Sequence, residues 1–368
     1  MKTKIQTLKE QINNLTDPRR TSHGNIRHKL EDIIIIGLCA IICGGEDYAD
    51  MEAFGTEREK FLRGFLELPN GIPDSDTFRR LFERLDPEAL SGCLVDWLNV
   101  ELPDRCVIAV DGKTIRGSAD STHKAYHVVS AFVAENQITL GEITVDEKSN
   151  EITAVPELLD LLYIDNAIIT ADSMSCQKKI ARKIIGADAE YCIALKGNQP
   201  TLCKDVEEYF CAYTEETFTY KHLEKGHGRV EIREYYLSRD IGWLEQKEEW
   251  AGLQAIGMVK TKVMEGEKES EFTRYFITSL TDINEFAYAV RKHWSIENQL
   301  HWCLDVIFRE DAARARKDNS PLNMNVLRKT ALSLLNQAKR GRLSKKKMMF
   351  KASLNPDVLL SVLLAGEK

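Results

Sequence analysis

Between residues 107 and 195 the chain alternates short apolar segments with helical ones, and this order constrains the fold more than any other feature. Continuous runs of Val, Ile and Ala are typical of buried strands, whereas apolar residues spaced by three and four indicate helices. The signals predict the order β-β-β-α-β-α-β. Strands are expected over 107–110, 127–134, 137–145, 167–171 and 191–195, and helices over 155–162 and 175–185. An α/β sheet follows from this pattern.

Two of the predicted strands end in an aspartate, Asp111 and Asp172, and a third acid, Glu297, lies in a helix predicted over 283–308. A lone aspartate after a strand often only opens a turn. Together, however, two strand-end carboxylates and a helical one suit Mg²⁺, which binds a few carboxylates together with substrate phosphate. The three acids therefore predict a metal site for phosphoryl transfer, in which two ions hold the attacking and leaving oxygens.

The helix around the third acid allows other interpretations. His293, Glu297 and His301 are spaced by four residues and share one face, which could indicate zinc. The segment lacks the adjacent glutamate of the His-Glu-x-x-His motif, so zinc is the weaker hypothesis. Trp294 and Trp302 on the flanking faces are expected in the core rather than as stacking platforms for bases.

A short basic segment follows the first aspartate. Gly112, Lys113 and Thr114 are similar to the end of a phosphate loop, but the first glycine of that motif would have to be Val107. A nucleoside triphosphate site is thereby excluded. Lys113 and Arg116 would instead lie beside Asp111 and neutralise a phosphodiester, although an exposed turn explains them equally well.

The charge of the chain is unevenly distributed. The net charge is −7, yet residues 309–351 contain 13 Lys or Arg against 3 acids, and residues 1–30 contain seven against two. Such runs are often solvated helix faces, but basic segments near both ends favour a nucleic-acid partner.

Two further features exclude classes of protein. None of the nine cysteines forms a Cys-x-x-Cys pair, so neither a disulfide framework nor a zinc ribbon is indicated. The longest apolar run covers 33–43, about half of the roughly 20 residues that cross a bilayer. It is expected to be a core helix within a helical segment over about 1–100, and the protein is expected to be cytoplasmic, without a membrane partner.

Several motifs in combination are specific. They cover residues 111–118, 170–178, 194–199, 226–233 and 293–306, with shorter ones at 17–19, 43–45 and 68–77. On these residues the chain closely resembles the H-repeat-associated insertion-sequence transposases of the DDE class. The resemblance implies an α/β fold with a ribonuclease-H-like mixed sheet core, a β-rich insertion at about 200–280, and a preceding helical N-terminal domain. We expect domains at 1–101 and 102–345 and a C-terminal tail at 346–368.

The resemblance also implies an activity and its partners. Asp111, Asp172 and Glu297 would be the catalytic acids and the ligands of Mg²⁺ or Mn²⁺, with two ions expected. The substrate would be double-stranded DNA, namely the terminal repeats of an insertion sequence and target DNA, bound by a homodimer in a synaptic complex. Two alternatives are an inactive or domesticated DNA-binding remnant and a structure-selective nuclease.

The chain departs from the wider group around its last acid. Val290 and His293 occupy the places of a tyrosine and an arginine, and Leu304 that of a lysine. Arg291, Lys292 or His293 would substitute for the missing contacts. With the other basic residues near the acids, they form the set of candidate DNA contacts. The candidates are Lys113, Arg116, Lys196, Arg229, Arg291, Lys292 and His293.

Overall fold

The computed structural model describes residues 3–19, 26–99, 101–121, 123–145, 151–212, 217–226, 228–339 and 341–366. The chain begins with helices: α1 Lys4–Asn13, α2 Leu30–Ile42, α3 Tyr48–Leu62, α4 Ser75–Phe82 and α5 Pro87–Leu98. The middle contains β1 Val107–Thr114, β2 His127–Val133, β3 Ile138–Val145, α6 Glu151–Asp160, β4 Ile168–Ala171, α7 Lys178–Gly186 and β5 Glu190–Leu195.

A β-rich region and further helices complete the chain. The region contains α8 Pro200–Ala212, β6 Phe218–Gly226, β7 Arg229–Ser238, β8 Ala255–Glu265 and β9 Lys268–Thr278. Next comes α9 Ile283–Ser295, which continues as two π-helical segments, Ile296–His301 and Cys303–Ile307. The last helices are α10 Ser320–Gln337, α11 Lys345–Leu354 and α12 Pro356–Leu363.

The described strands form one mixed sheet in the order β3-β2-β1-β4-β5-β9-β8-β7-β6. β1, β4 and β5 are parallel, whereas β2, β3 and the strands of the β-rich region pair antiparallel. The predicted order β-β-β-α-β-α-β and the mixed α/β class are confirmed. Because β9 pairs with β5, the β-rich region extends the central sheet and does not form a separate one.

Two elements of the β-rich region were missing from the sequence interpretation. Helix α8 buries Leu202, Val206 and Phe210, whose spacing of four residues was a usable helical signal. Strand β6 is charged and lies at the edge of the sheet, where β7 is its one partner among the described strands. An edge strand has little need for apolar residues, so its sequence gave a weak signal.

Helices cover both faces of the sheet. One face packs against α6, α7 and α8 around Ile169, Ile180 and Val206. On the other face, α9 packs against β7, β8 and β9 through Phe286. These two layers fix the strand ends and the helix that carry the three acids.

The first and last helices of the chain share a single core. Helix α2 is buried along its whole length and packs against α10, which confirms the predicted core helix at 33–43. The indole Nε1 of Trp97 donates to the carbonyl of Lys4 at 2.8 Å, and the ammonium of Lys4 donates to the carbonyl of Ala365. Helix α11 crosses the expected boundary at 345/346; the domain limits stay predictions. Within the described residues, no helix has the length and apolar character needed to span a membrane.

Candidate active site

The first two acids follow a pair of residues that face each other across parallel strands. Val110 on β1 and Ala171 on β4 form the last pair of their ladder, so Asp111 and Asp172 leave it at the same edge. The prediction that Asp111 ends its strand was wrong. β1 continues to Thr114 because β2 goes on pairing with it, with Ser130 opposite Asp111. Asp111 is therefore held by antiparallel pairing with β2 on one side, whereas on the other side the parallel ladder with β4 has already ended.

Asp172 has both of the roles that the sequence allowed: it opens a turn and it presents a carboxylate at the sheet edge. Its Oδ1 accepts hydrogen bonds from the backbone N–H groups of Met174 at 2.9 Å and Ser175 at 3.3 Å, and thereby opens a short 3₁₀ turn. The same bonds fix the direction of the carboxylate at the sheet edge.

The third acid lies in a segment with unusual helical geometry. Asp282 caps the start of α9, because its side chain accepts from the N–H of Asn284 at 2.8 Å, and the helix becomes π-helical after Ser295. π-Helical turns form i→i+5 bonds and are frequent at functional sites. Here the turn brings Glu297 and His301 to Asp111, and one possible ligand atom from each of the three residues lies within 4.8 Å of the others. Asp172 is not part of this compact group of described residues.

Burial and mutual repulsion disfavour the charged forms of the two aspartates. Burial, followed by repulsion from Glu297, raises the pKa of Asp111 to about 7, and Asp172 and Glu151 add to it. Burial also raises the pKa of Asp172, with a further contribution from Glu151, against the opposing charge of Lys196. Adjacent carboxylates that repel each other in a half-buried site favour a bound cation. The oxygen donors of Asp111 and Glu297 fit a hard divalent ion.

A histidine in the same cluster is deeply buried. His301 is 8% exposed, its Nδ1 lies 3.6 Å from Oδ2 of Asp111, and its Nε2 has no hydrogen-bond partner among the described residues. Burial, followed by the charges of Lys329 and Lys113, lowers the pKa of His301 to about 3. The ring is therefore neutral at pH 7.

The sequence interpretation missed a fourth acid, Glu151, at the start of α6. Its Oε1 lies 2.6 Å from Nε2 of His127, whose Nδ1 lies 3.0 Å from Oγ1 of Thr114. Gly112 makes room for this pair, because a Cβ there would lie 2.2 Å from Oε1 of Glu151 and 2.4 Å from Nε2 of His127. The glycine after Asp111 was a possible signal, but nothing in the sequence connected it to residue 151.

The predicted DNA contacts around the first strand differ in their surroundings. Lys113 lies within β1 and is almost buried, with Nζ 2.7 Å from Oδ1 of Asp305 and 2.9 Å from Oε2 of Glu310. Arg116 is largely exposed, 3.7 Å from Oδ2 of Asp311. Lys196 is exposed beyond β5, near Asp172.

The remaining candidates lie along α9 and the β-rich region. Arg229 and Arg291 line a cavity of about 370 Å³ between the β-rich strands and α9, and each is paired with a glutamate. The ammonium of Lys292 lies 5.3 Å from the centre of the Tyr288 ring. His293 has its Nδ1 3.1 Å from Oγ1 of Thr170, and burial, with Arg274 adding, lowers its pKa to about 4.

The two tryptophans of α9 and its π-helical continuation are not in the core, so that prediction was wrong. Trp294 is 38% and Trp302 53% exposed. The apolar face of the π-helical segment is instead formed by buried side chains, namely Ile296, Leu300, Cys303 and Leu304. The guanidinium of Arg274 lies 4.6 Å from the centre of the Trp294 ring, beside the 370 Å³ cavity.

Comparisons with known proteins give a consistent result. Residues 102–334 match the family described as "Transposase DDE domain", and residues 9–98 match the one described as "DDE_Tnp_1-associated". The chain is 38% identical to "Putative transposase YncI" of Escherichia coli O157:H7, over 98% of this chain and 95% of the relative. It is also 38% identical to "H repeat-associated putative transposase YhhI" of E. coli K12, over 98% of both chains. A shorter relative, "Inactive transposase YbfQ" of E. coli K12, is 36% identical over 21% of this chain.

Proposed function

Because this chain belongs to the transposase family, whose DDE domain it matches over residues 102–334, we propose that it is a metal-dependent transposase with a ribonuclease-H-like core. It would hydrolyse a phosphodiester at each end of its own insertion sequence and transfer the exposed 3′-hydroxyl into target DNA. Asp111, Asp172 and Glu297 would be its catalytic acids. The observation that carries the proposal is that Asp111 and Asp172 leave two parallel strands at one sheet edge, where Glu297 of the π-helical segment approaches Asp111.

The metal-binding role rests on the donor atoms of these side chains. Asp111, Asp172 and Glu297 would hold Mg²⁺ or Mn²⁺, and we propose two ions. When bound, the ions supply Lewis-acid stabilisation of the phosphodiester oxygens and lower the pKa of the attacking water or hydroxyl. The protein keeps the carboxylates in place through the β1–β4 register and through the turn that Asp172 opens.

Basic side chains near the acids would position the DNA backbone. Lys196 is exposed next to Asp172, and the cavity lined by Arg229 and Arg291 reaches Asn298, the neighbour of Glu297. Both arginines are paired with glutamates, so contact with phosphate would exchange one anion for another. We propose that the end of the element lies across this edge.

A second basic surface lies at the beginning of α11. Lys345, Lys346 and Lys347 occupy the first helical turn, and no acid accompanies them there. Positive charge at a helix N-terminus opposes the helix dipole and costs about 0.3–1 kcal/mol per residue. A row of phosphates would compensate this cost, so we propose that the Lys346 and Lys347 side chains contact double-stranded DNA. Two such protomers would hold both ends of the element as a homodimer.

The test uses supercoiled plasmid that carries the flanking DNA of the gene. In Mg²⁺ the wild-type protein should nick this DNA and join the ends to a second plasmid. Asp172→Asn and Glu297→Gln should abolish both reactions while DNA binding persists. Undiminished cleavage by Asp172→Asn would refute the assignment. If the wild-type protein binds DNA but does not cleave it, the inactive remnant is favoured. If it cleaves DNA but does not join the ends, the structure-selective nuclease is favoured.

A further inference from the structure

The histidine beside the acids is buried with one ring nitrogen unpaired among the described residues, which a purely structural histidine would not need. His301 is nine-tenths buried, yet its Nε2 lacks a hydrogen-bond partner among the described residues. Leaving a buried polar atom without a partner costs about 1–3 kcal/mol. A side chain in the core would normally avoid this cost by turning towards a carbonyl or hydroxyl group.

The contact with Asp111 does not satisfy the ring either. Nδ1 lies 3.6 Å from Oδ2 of Asp111, beyond the usual 2.7–3.2 Å of an N–H···O hydrogen bond. Neighbouring ligands of one octahedral ion at about 2.1 Å are roughly 3 Å apart, and opposite ones roughly 4 Å. The separations of up to 4.8 Å among Asp111, Glu297 and His301 therefore need only a small contraction to surround an ion.

The π-helical turn explains how a histidine reaches this place. Glu297 and His301 lie four residues apart in a segment whose backbone bonds span five, and both side chains point at the β1 edge. Leu300 and Leu304 on the other side are fully buried and hold the segment against the helical core. The ring is thus positioned by packing rather than by a polar partner.

On this geometry, and resting on the proposed function, we propose that His301 is a nitrogen ligand of the ion held by Asp111 and Glu297. The site then contains two carboxylates and one imidazole and is not purely oxygen-donating. Imidazole binds Mg²⁺ poorly but suits first-row transition ions, so this donor set favours Mn²⁺ over Mg²⁺ more than an all-carboxylate site would.

The test is pulsed EPR of Mn²⁺ added to the full-length protein. Wild-type protein should show ¹⁴N coupling from an imidazole bound to Mn²⁺. His301→Asn should lose the coupling but still bind Mn²⁺, roughly tenfold more weakly. His293→Asn is the matched control, because His293 is a half-buried histidine of α9, just before the π-helical segment, that contacts Thr170 instead. It should keep the coupling.

A second measurement does not depend on the stability of a variant at position 301. Wild-type protein labelled with ¹⁵N only at histidine should exchange the ¹⁴N coupling for a ¹⁵N coupling. In the labelled protein, His293→Asn and His127→Asn should leave the ¹⁵N coupling in place.

A third measurement tests the preference for Mn²⁺. Titration with Mg²⁺ in competition with Mn²⁺ should show that His301→Asn lowers the affinity for Mn²⁺ more than that for Mg²⁺.

The outcomes separate this inference from the proposed function. Mn²⁺ bound with oxygen donors alone, or a nitrogen coupling that survives His301→Asn, would overturn the ligand role and leave the catalytic acids untouched. Failure of Mn²⁺ to bind, or binding that Asp111→Asn does not weaken, would overturn both.

Discussion

Val110 and Ala171 face each other as the last pair of a parallel ladder, and the residues that follow them are the two aspartates of the candidate active site. The geometry of that edge is therefore set by main-chain hydrogen bonds. Because these bonds do not depend on the carboxylates, substitutions of the acids should change chemistry and electrostatics without altering the sheet.

The first prediction concerns Asp111→Asn. Loss of a carboxylate that binds metal should reduce DNA cleavage by about 10³-fold or more, since metal ions stabilise the reaction by several kcal/mol. When both proteins are free of metal, the variant should nevertheless be more stable than the wild type at pH 8. Melting temperature and cleavage, measured on the same preparations, check both parts.

The sign of this stability effect follows from the pKa of Asp111, which is about 7 in the folded protein against an ordinary 3.8. The stabilisation that it contributes when protonated is complete below pH 3.8 and is lost as the pH rises through 7. The difference between the two pKa values corresponds to up to about 4 kcal/mol of stability. The advantage of the variant should therefore shrink towards pH 5, and an advantage independent of pH would contradict the explanation.

A second prediction uses the glycine that makes room for the fourth acid. In Gly112→Ala the new Cβ would overlap Glu151 and His127 and displace both side chains. We expect a loss of Mn²⁺ affinity of roughly tenfold, as is typical when groups around metal ligands are disturbed. Isothermal titration with Mn²⁺ measures it.

Gly92→Ala is the control for that substitution. Gly92 lies inside helix α5, and a Cβ there would meet no atom within 4 Å. The change should leave Mn²⁺ affinity intact and raise stability by about 0.5–1 kcal/mol. Equal loss of affinity in the two variants would argue against a role for the Glu151 side chain.

The third prediction concerns the lysines at the start of α11. The double substitution Lys346→Glu and Lys347→Glu should weaken DNA binding irrespective of sequence. It should also flatten the plot of log affinity against log salt concentration by about 1.8, if each lysine contacts one phosphate. Fluorescence anisotropy at several salt concentrations measures the slope. Lys204→Glu changes an exposed lysine of α8 and should leave the slope unchanged.

A fourth prediction tests a buried ion network beside the site. Glu310 is fully buried and is shared by Lys113, Asn325 and Arg328. Glu310→Gln removes the carboxylate beside the buried Arg328 and leaves Lys113 with Asp305 alone, and it should destabilise the fold by about 3–5 kcal/mol. The nearby, exposed Asp318→Asn should cost less than about 0.5 kcal/mol. Similar melting temperatures for the two variants would contradict the role of the network.

Local signals were sufficient to predict the central strands and helices, because each buried strand is a short run of apolar residues with a clear end. They were insufficient where the outcome depends on distant partners. Strand β1 extends past Asp111 because β2 pairs with it, and no residue near 111 indicates this. Trp302 likewise lies between two π-helical segments, where an α-helical spacing no longer predicts which face a residue occupies.

The same limit applies to the candidate site. Asp111, Asp172 and Glu297 could be selected because each ends or interrupts an apolar pattern. The approach of Glu151 depends on the absence of a side chain at Gly112 and on a partner, His127, from a neighbouring strand. Such three-body arrangements leave no periodic trace in a sequence.

The shared core of the first and last helices has a consequence for the chain during its synthesis. Helix α2, apolar along its length, leaves the ribosome long before α10, against which it packs. Contacts between such distant segments form slowly, and exposed apolar surface promotes aggregation meanwhile. Nascent chains should therefore depend on chaperones until translation ends, and a gene copy with a late stop codon should yield an insoluble product.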